Sequence, residues 1–410
     1  MLTDLSSSFG GKVGQRHDSG GDRTDFSIIL GGPFFQLLRR AHVSGDALEL
    51  ARRRMVVISM IAWAPLLLLS VASGSAIGGD LAVPFLKDIQ AHARFLLALP
   101  LLIIAELVVH QRIRPIANEF VVRDLVTPGT IVRFENAVRA AMRLRNSRLA
   151  EVAMVLLVYG AGIPILWSQF AVLDVPTWYA EPTAQGPRLT LTGFWYAYVS
   201  VPIFQFLLLR WYFRLLVWSR FLWHVSRIPL NVSAMHADRM AGLGFLSNTV
   251  FAFVPLLMAH GVVVSGTIAN RILYQGSTLA DAKVEIAVVV ALLLLLVLGP
   301  LAVFAPQIAR AKRAALRAYG RLAQRYVVDF EHTWLPGGSP AAGTPLGSGD
   351  IQSLADLSNS LETVRNTRSI PITRQMIVAL GVATLAPIAP LLLTVIPLEE
   401  LAKRLLKLLV

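Results

Sequence analysis

Ile286-Ala-Val-Val-Val-Ala-Leu-Leu-Leu-Leu-Leu-Val-Leu-Gly-Pro-Leu-Ala-Val-Phe-Ala-Pro-Gln-Ile308 runs for 23 residues without a charge. At 1.5 Å per residue such a helix covers roughly 30 Å of hydrocarbon, and within hydrocarbon a single segment satisfies its own backbone only as a helix. Ala309-Arg-Ala-Lys-Arg313 follows at once, an apolar-to-basic step of the kind found where a span leaves the bilayer.

Six further runs have comparable length and character: 55–76, 95–111, 149–171, 193–212, 245–268 and 376–396. The composition of the 410 residues agrees, with 55% hydrophobic and only 15% charged, where a soluble domain carries about 25% charged. Mean hydropathy is +0.60. The predicted fold is therefore an all-α polytopic membrane bundle of about seven transmembrane helices with amphipathic cytoplasmic helices. The absence of cysteine excludes disulfides, thiolate metal sites and a cysteine nucleophile. The first fifty residues hold no apolar run behind a short basic start, so no cleaved export signal is expected.

Alternating connections differ sharply in cationic residues. Of 38 Lys and Arg, 30 fall before span one, between spans two and three, from Arg210 to span five, or between spans six and seven. Basic loops stay inside, so the amino terminus is expected in the cytoplasm and, after seven crossings, the carboxyl terminus outside. The chain then divides into a cytoplasmic segment 1–54, a six-span region 55–308 with a cytoplasmic excursion at 112–148, cytoplasmic helices and a Gly/Pro-rich linker in 309–375, and a last span plus amphipathic tail in 376–410. Residues 26–43 read as an interfacial helix, 113–148 and 309–332 as basic helices prolonging spans two and six, 335–350 as a linker and 351–365 as a helix. Pro387, Pro390 and Pro397 leave open a re-entrant hairpin in place of the seventh crossing. Spans one and two echo spans five and six in Pro65 with Pro255 and Pro100 with Pro300.

Ionisable and polar groups inside hydrocarbon are the first candidates for function. Glu106 lies twelve residues after Arg94, about 18 Å along the helix, in the inner half of span two. Arg210 stands at a compatible depth as its pairing partner, with Arg214 able to reach back. His260, followed by Gly261, Ser265 and Gly266, reads as a packing residue nearer the outer face, the small residues allowing close helix approach. Asn248 is placed with Glu106 on a polar pathway. Arg210, Arg214, Arg220, His224 and Arg227 share about 140° of one helical face at 100° per residue and read as solvated or lipid-facing, beside Trp211, Tyr212, Trp218 and Trp223 as an interfacial aromatic belt. A nucleic-acid partner is not expected, since no recognition module accompanies the charge. Anionic lipid at the cytoplasmic face is the expected partner, with a protein partner or second copy left open.

His236-Ala-Asp-Arg-Met-Ala-Gly-Leu-Gly-Phe-Leu246 leads directly into span five. His236 and Asp238 offer two metal ligands or a base with its orienting carboxylate, while Gly242 and Gly244 relax the backbone. A helix-entry turn with Asp238 near the positive helix end explains the same residues. The stretch resembles the His-Pro-Asp-x-x-Gly-Gly-Leu-Gly-Phe-Leu run of a group of uncharacterised bacterial multi-span membrane proteins, with Ala237 in place of the proline and Ala241 in place of the first glycine. The closing stretch, from 350–357 through 397–401, is similar to the end of that group. The resemblance implies a bacterial inner membrane and no activity.

No nucleotide-binding, hydrolase or zinc-protease signature is present, no metal or cofactor is expected, and no catalytic residue is assigned. The functional reading at this level is a transporter or channel for a small solute or ion. The alternatives are a scaffold or assembly factor binding a cytoplasmic partner or anionic lipid, and a membrane-embedded enzyme using His236, Asp238 or His332.

Overall fold

The computed structural model describes residues 26–29, 31, 32, 36, 51–78, 81–165, 176–183, 186–335 and 349–394. The described residues form nine helices: α1 (Ala51–Ala72), α2 (Ile89–Val122), α3 (Ile131–Arg145), α4 (Arg148–Ile165), α5 (Leu191–Val225), α6 (Gly244–Gln275), α7 (Lys283–Trp334), α8 (Gly349–Asn366) and α9 (Arg374–Thr394). All but α3 and α8 are long and apolar enough to cross a membrane, which makes this a seven-helix membrane bundle. The only sheet among the described residues is a hairpin, β1 (Ala180–Thr183) against β2 (Gly186–Leu189), antiparallel with Ala180 opposite Leu189.

Half of the apolar window of α2, α5 and α6 is buried, against 28% or less in the other four spans, so these three form the centre of the bundle. α6 packs along α2 on one side and α9 on the other, α1 packs on α2, and α5 packs on α3, α4 and α7. Two glycines set the closeness around α6. A Cβ on Gly266 would lie 2.8 Å from the Ala93 Cβ, and one on Gly261 would lie 2.1 Å from the Thr384 carbonyl oxygen.

Proline shapes the spans in a repeated way. It lacks an N–H, and its ring collides with the carbonyl four residues earlier. A wide π-helical turn relieves that collision at Ala93–Ala98 before Pro100, at Val158–Gly162 before Pro164 and at Tyr196–Ser200 before Pro202. Pro65 instead sits in a continuous α-helix, and the Ile61 carbonyl it orphans accepts the Trp195 indole N–H at 3.3 Å. Pro255 follows one tight 3₁₀ stretch, Gly244–Phe253, and Pro300 lies at the start of another, Gly299–Phe304. The echo between the two halves is thus not repeated in local backbone form.

Several expectations change. Residues 113–148 do not simply prolong span two: α2 bends at Arg114-Pro115, ends at Val122, and α3 forms separately with Phe134, Ala137 and Ala141 buried. Residues 26–29 are not helical, and Phe26, Ile28 and Ile29 are buried rather than interfacial, Phe26 lying against Trp218 and Phe221. Pro387 and Pro390 turn the end of α9 into 3₁₀ form, and Arg374–Thr394 is one helical segment with no hairpin. α7 does continue unbranched through the basic stretch, and α8 folds back on it, with Tyr326 and Trp334 donating to Asp350. Most of the 26–43 and 335–350 stretches, and the tail from Pro397, lie outside the described residues.

Candidate functional site

Glu106 faces inward on α2 together with Leu102, Val109, His110 and Ile113, a helical i, i+4, i+7 pattern that aims its carboxylate at the bundle centre. The side chain is 4% exposed. Its nearest cations are Arg54, from the first turn of α1, and Arg214 on α5 at 2.7 Å, with Arg210 one turn earlier at 3.9 Å. The partner expected from sequence, Arg210, is therefore the outermost of three. Glu151, in the first turn of α4, adds a second carboxylate within electrostatic reach of Arg210 and Arg214. At the 3.9 Å of the Arg210 contact the Coulomb attraction is roughly 4 kcal/mol at an effective dielectric near 20, set against the cost of taking both charges out of water. Four helices thus meet at one charged node.

The arginines are themselves fixed. Arg214 lies over the Trp211 ring, 4.9 Å from its centroid, and the Trp211 indole donates to the Leu102 carbonyl at 2.9 Å. Trp211 and Trp218 are fully buried and do not belong to an interfacial belt, which among the four aromatics leaves only Tyr212 and Trp223 exposed. The basic stripe on α5 accordingly splits: Arg210 and Arg214 are buried, Arg220 and Arg227 exposed, His224 between. The 26–29 segment is tied to α2 one turn beyond Glu106 and to the end of α3, the Ser27 hydroxyl meeting His110 Nδ1 at 2.9 Å and Arg145 donating to the Ser27 carbonyl.

The remaining intramembrane candidates do not converge on Glu106. Asn248 is exposed on the 3₁₀ stretch of α6. His260 bonds through Nε2 to the Tyr212 hydroxyl at 2.7 Å and through Nδ1 to the Leu256 carbonyl at 2.7 Å. Tyr212 stands between Arg210 and Arg214 along α5, so His260 lies near the level of the charged node rather than half a bilayer away.

The 236–246 turn is built around one carboxylate. Asp238 accepts backbone N–H groups from Met240 at 2.8 Å, Gly242 at 3.1 Å and Gly244 at 2.8 Å, and the His236 ring lies 3.0 Å away. Partial burial pushes this carboxyl upward, but the three amides and the His236 ring outweigh it and hold the group below the usual Asp range. Gly242 is needed for its φ of +88°, and Gly244 because a Cβ there would sit 2.8 Å from the carboxylate. With its oxygens committed to the backbone, Asp238 serves as the entry to α6.

Ala241 adopts a φ of +58°, where an alanine costs about 1–2 kcal/mol relative to glycine. Its methyl is buried, and removing it gives up about 0.8 kcal/mol. The strain relieved exceeds the packing lost, so Ala241→Gly is expected to raise stability by up to about 1 kcal/mol. Thermal unfolding in detergent reads this directly, and a lowered midpoint would show that packing outweighs strain.

One polar node escaped the sequence reading. At the end of the bundle opposite the charged cluster, Asp88 caps the first turn of α2 through Ala91, accepts the Trp178 indole N–H at 2.9 Å and receives the Asn270 amide at 2.8 Å. An Asp just before an apolar helical run is an N-cap signal, so its position was readable. Its partners, 90 and 182 residues away, were not.

These features define a membrane-spanning helical bundle with one enclosed arginine–glutamate node. No protein family, curated protein or solved structure matches the chain.

Proposed function

We propose that this protein is a scaffold or assembly factor of the bacterial inner membrane, with its arginine-rich end in the cytoplasm and a cytoplasmic protein of acidic surface as its partner. One observation carries the reading. Arg310, Arg313, Arg317, Arg321 and Arg325 are all exposed on α7 and recur every three or four residues, within about 120° of one face at 100° per residue. No acidic residue interrupts 306–328, and among the described residues none of the five forms an ion pair. α7 is 52 residues long, about 78 Å, and hydrocarbon accounts for only some 30 Å of that.

The resemblance of 236–246 to bacterial multi-span membrane proteins supports the location. A transporter or channel for a small solute or ion is the second reading, favoured by the interrupted helices at Pro100, Pro164, Pro202 and Pro255, since broken spans commonly line solute sites. Glu106 is the residue on which that reading depends, and its enclosure by three guanidinium groups favours the scaffold.

Photocrosslinkers at Ala318 and Leu322, used in intact cells, are expected to trap a discrete protein. Reversing Arg313, Arg317, Arg321 and Arg325 to Glu should abolish the adduct while membrane insertion persists. Crosslinks to lipid alone, or solute flux in proteoliposomes that depends on Glu106, would replace the scaffold reading with the alternative.

A further inference from the structure

The strongest unassigned feature is a two-part groove between α5 and α7. Its first part, about 770 Å³, is an apolar trough whose walls include Leu216 from α5 and Leu292, Leu295 and Leu296 from α7. Trp223 and Val303 also line an adjacent second hollow of about 460 Å³, with Ser226, Arg227, Gln307 and Arg310. Arg220 stands at the rim of the trough. The groove exists because Gly299 contributes no side chain and Pro300 begins the tight 3₁₀ turns of α7, opening space beside α5.

The two ends have opposite chemistry. Leu216, Leu292 and Leu295 are more than half exposed, as lipid-facing residues of a span should be. Beyond them three guanidinium groups gather with no carboxylate in either lining. Arg227 is oriented by stacking on Trp223, 5.1 Å from the ring centroid, and Arg310 is held at one nitrogen by the Pro306 carbonyl at 3.2 Å. Both keep further N–H donors, and among the described residues Arg220, Arg227 and Arg310 make no ion pair. Planar guanidinium forks match phosphate oxygens.

A second observation narrows the headgroup. Gln307 is buried, its amide nitrogen donates to the Ile228 carbonyl, and its oxygen Oε1 has no donor among the described residues. A buried acceptor left open costs about 1–3 kcal/mol; Gln307 lines the polar hollow, and although Oε1 itself is shut from solvent, a shift of this side chain would bring it to a donor entering there. An acyl chain, a phosphodiester and a hydroxyl beyond it would match these three features in turn.

We infer that the α5–α7 groove is a binding site for an anionic glycerophospholipid with a hydroxylated headgroup, of the phosphatidylglycerol type. The acyl chain lies in the leucine trough, the phosphate meets Arg227 and Arg310 with Arg220 at the rim, and the headgroup hydroxyl donates to Gln307 Oε1. This site shares only Arg310 with the arginine face of the scaffold reading, and the charge reversals that test that reading, at Arg313, Arg317, Arg321 and Arg325, leave all three of its guanidinium groups in place.

Native mass spectrometry of the full chain, titrated with phosphatidylglycerol, phosphatidic acid or phosphatidylcholine of matched chains, tests it. One tightly retained phosphatidylglycerol is expected, bound at least tenfold more tightly than phosphatidylcholine and severalfold more tightly than phosphatidic acid. Arg227→Gln with Arg310→Gln should remove that preference, whereas Arg317→Gln with Arg321→Gln should keep it. Leu295→Trp, which fills the trough at an exposed position, should weaken retention of every lipid at this site without touching the arginines. Equal retention of phosphatidylcholine, an unchanged preference in the Arg227/Arg310 variant, or undiminished retention in Leu295→Trp would overturn the assignment. Equal affinity for phosphatidic acid would overturn the role given to Gln307.

Discussion

Glu106→Gln is expected to destabilise the bundle by about 3–5 kcal/mol, the usual cost of removing one partner from a buried ion pair. The amide keeps the shape of the carboxylate but not its charge. Arg54, Arg210 and Arg214 would then face one another in a region that admits little water, with an NH₂ group turned toward guanidinium donors. Resistance to proteolysis and the thermal midpoint in detergent should both fall. Arg54→Gln in the same chain should restore part of the loss, because it removes one of the stranded cations. An unchanged midpoint for Glu106→Gln would mean that the carboxylate is already protonated or that solvent reaches it.

Gly261→Ala tests packing instead of charge. The new methyl would fall 2.1 Å from the Thr384 carbonyl oxygen and 3.2 Å from Pro387 Cδ, so the α6 and α9 backbones must separate by about an ångström. Overpacking of this kind costs about 1–3 kcal/mol, and no flexible side-chain end is available to yield. Gly381→Ala on α9 is the matched control. Nothing lies within 4 Å of its Cβ position, and a helical glycine gains about 0.5–1 kcal/mol on becoming alanine. Opposite signs for the two substitutions are expected by thermal unfolding. A neutral Gly261→Ala would show that α9 is loosely seated.

Features written in runs and spacings are legible in the sequence. Apolar length gave the seven spans, because hydrocarbon thickness is a fixed ruler and each run is long enough to read alone. Gly261 and Gly266 were readable as close-approach positions, and Asp238 as a helix-entry residue. What stayed hidden depends on which way a side chain turns. Arg54 looked like one of several solvated cations ahead of span one, yet it rotates inward to Glu106. Trp211 and Trp218 have the composition of a membrane belt, but a neighbouring carbonyl and Phe26 hold them in the core. Phe26, Ile28 and Ile29 looked like a surface helix because no local pattern announces the slot that receives them. Nothing in the local residue pattern distinguishes these alternatives, since the partners lie on helices brought together only by the fold.

The three wide turns ahead of Pro100, Pro164 and Pro202 also change how this molecule must be drawn. Each admits an extra residue, so everything downstream is rotated by roughly 100° about the rod axis relative to an uninterrupted coil. A projection wheel plotted straight through one of them assigns lipid-facing and core-facing positions to the wrong sectors. Sector maps for cysteine labelling or alanine scanning of α2, α4 and α5 therefore need two phases, with the origin reset at the proline.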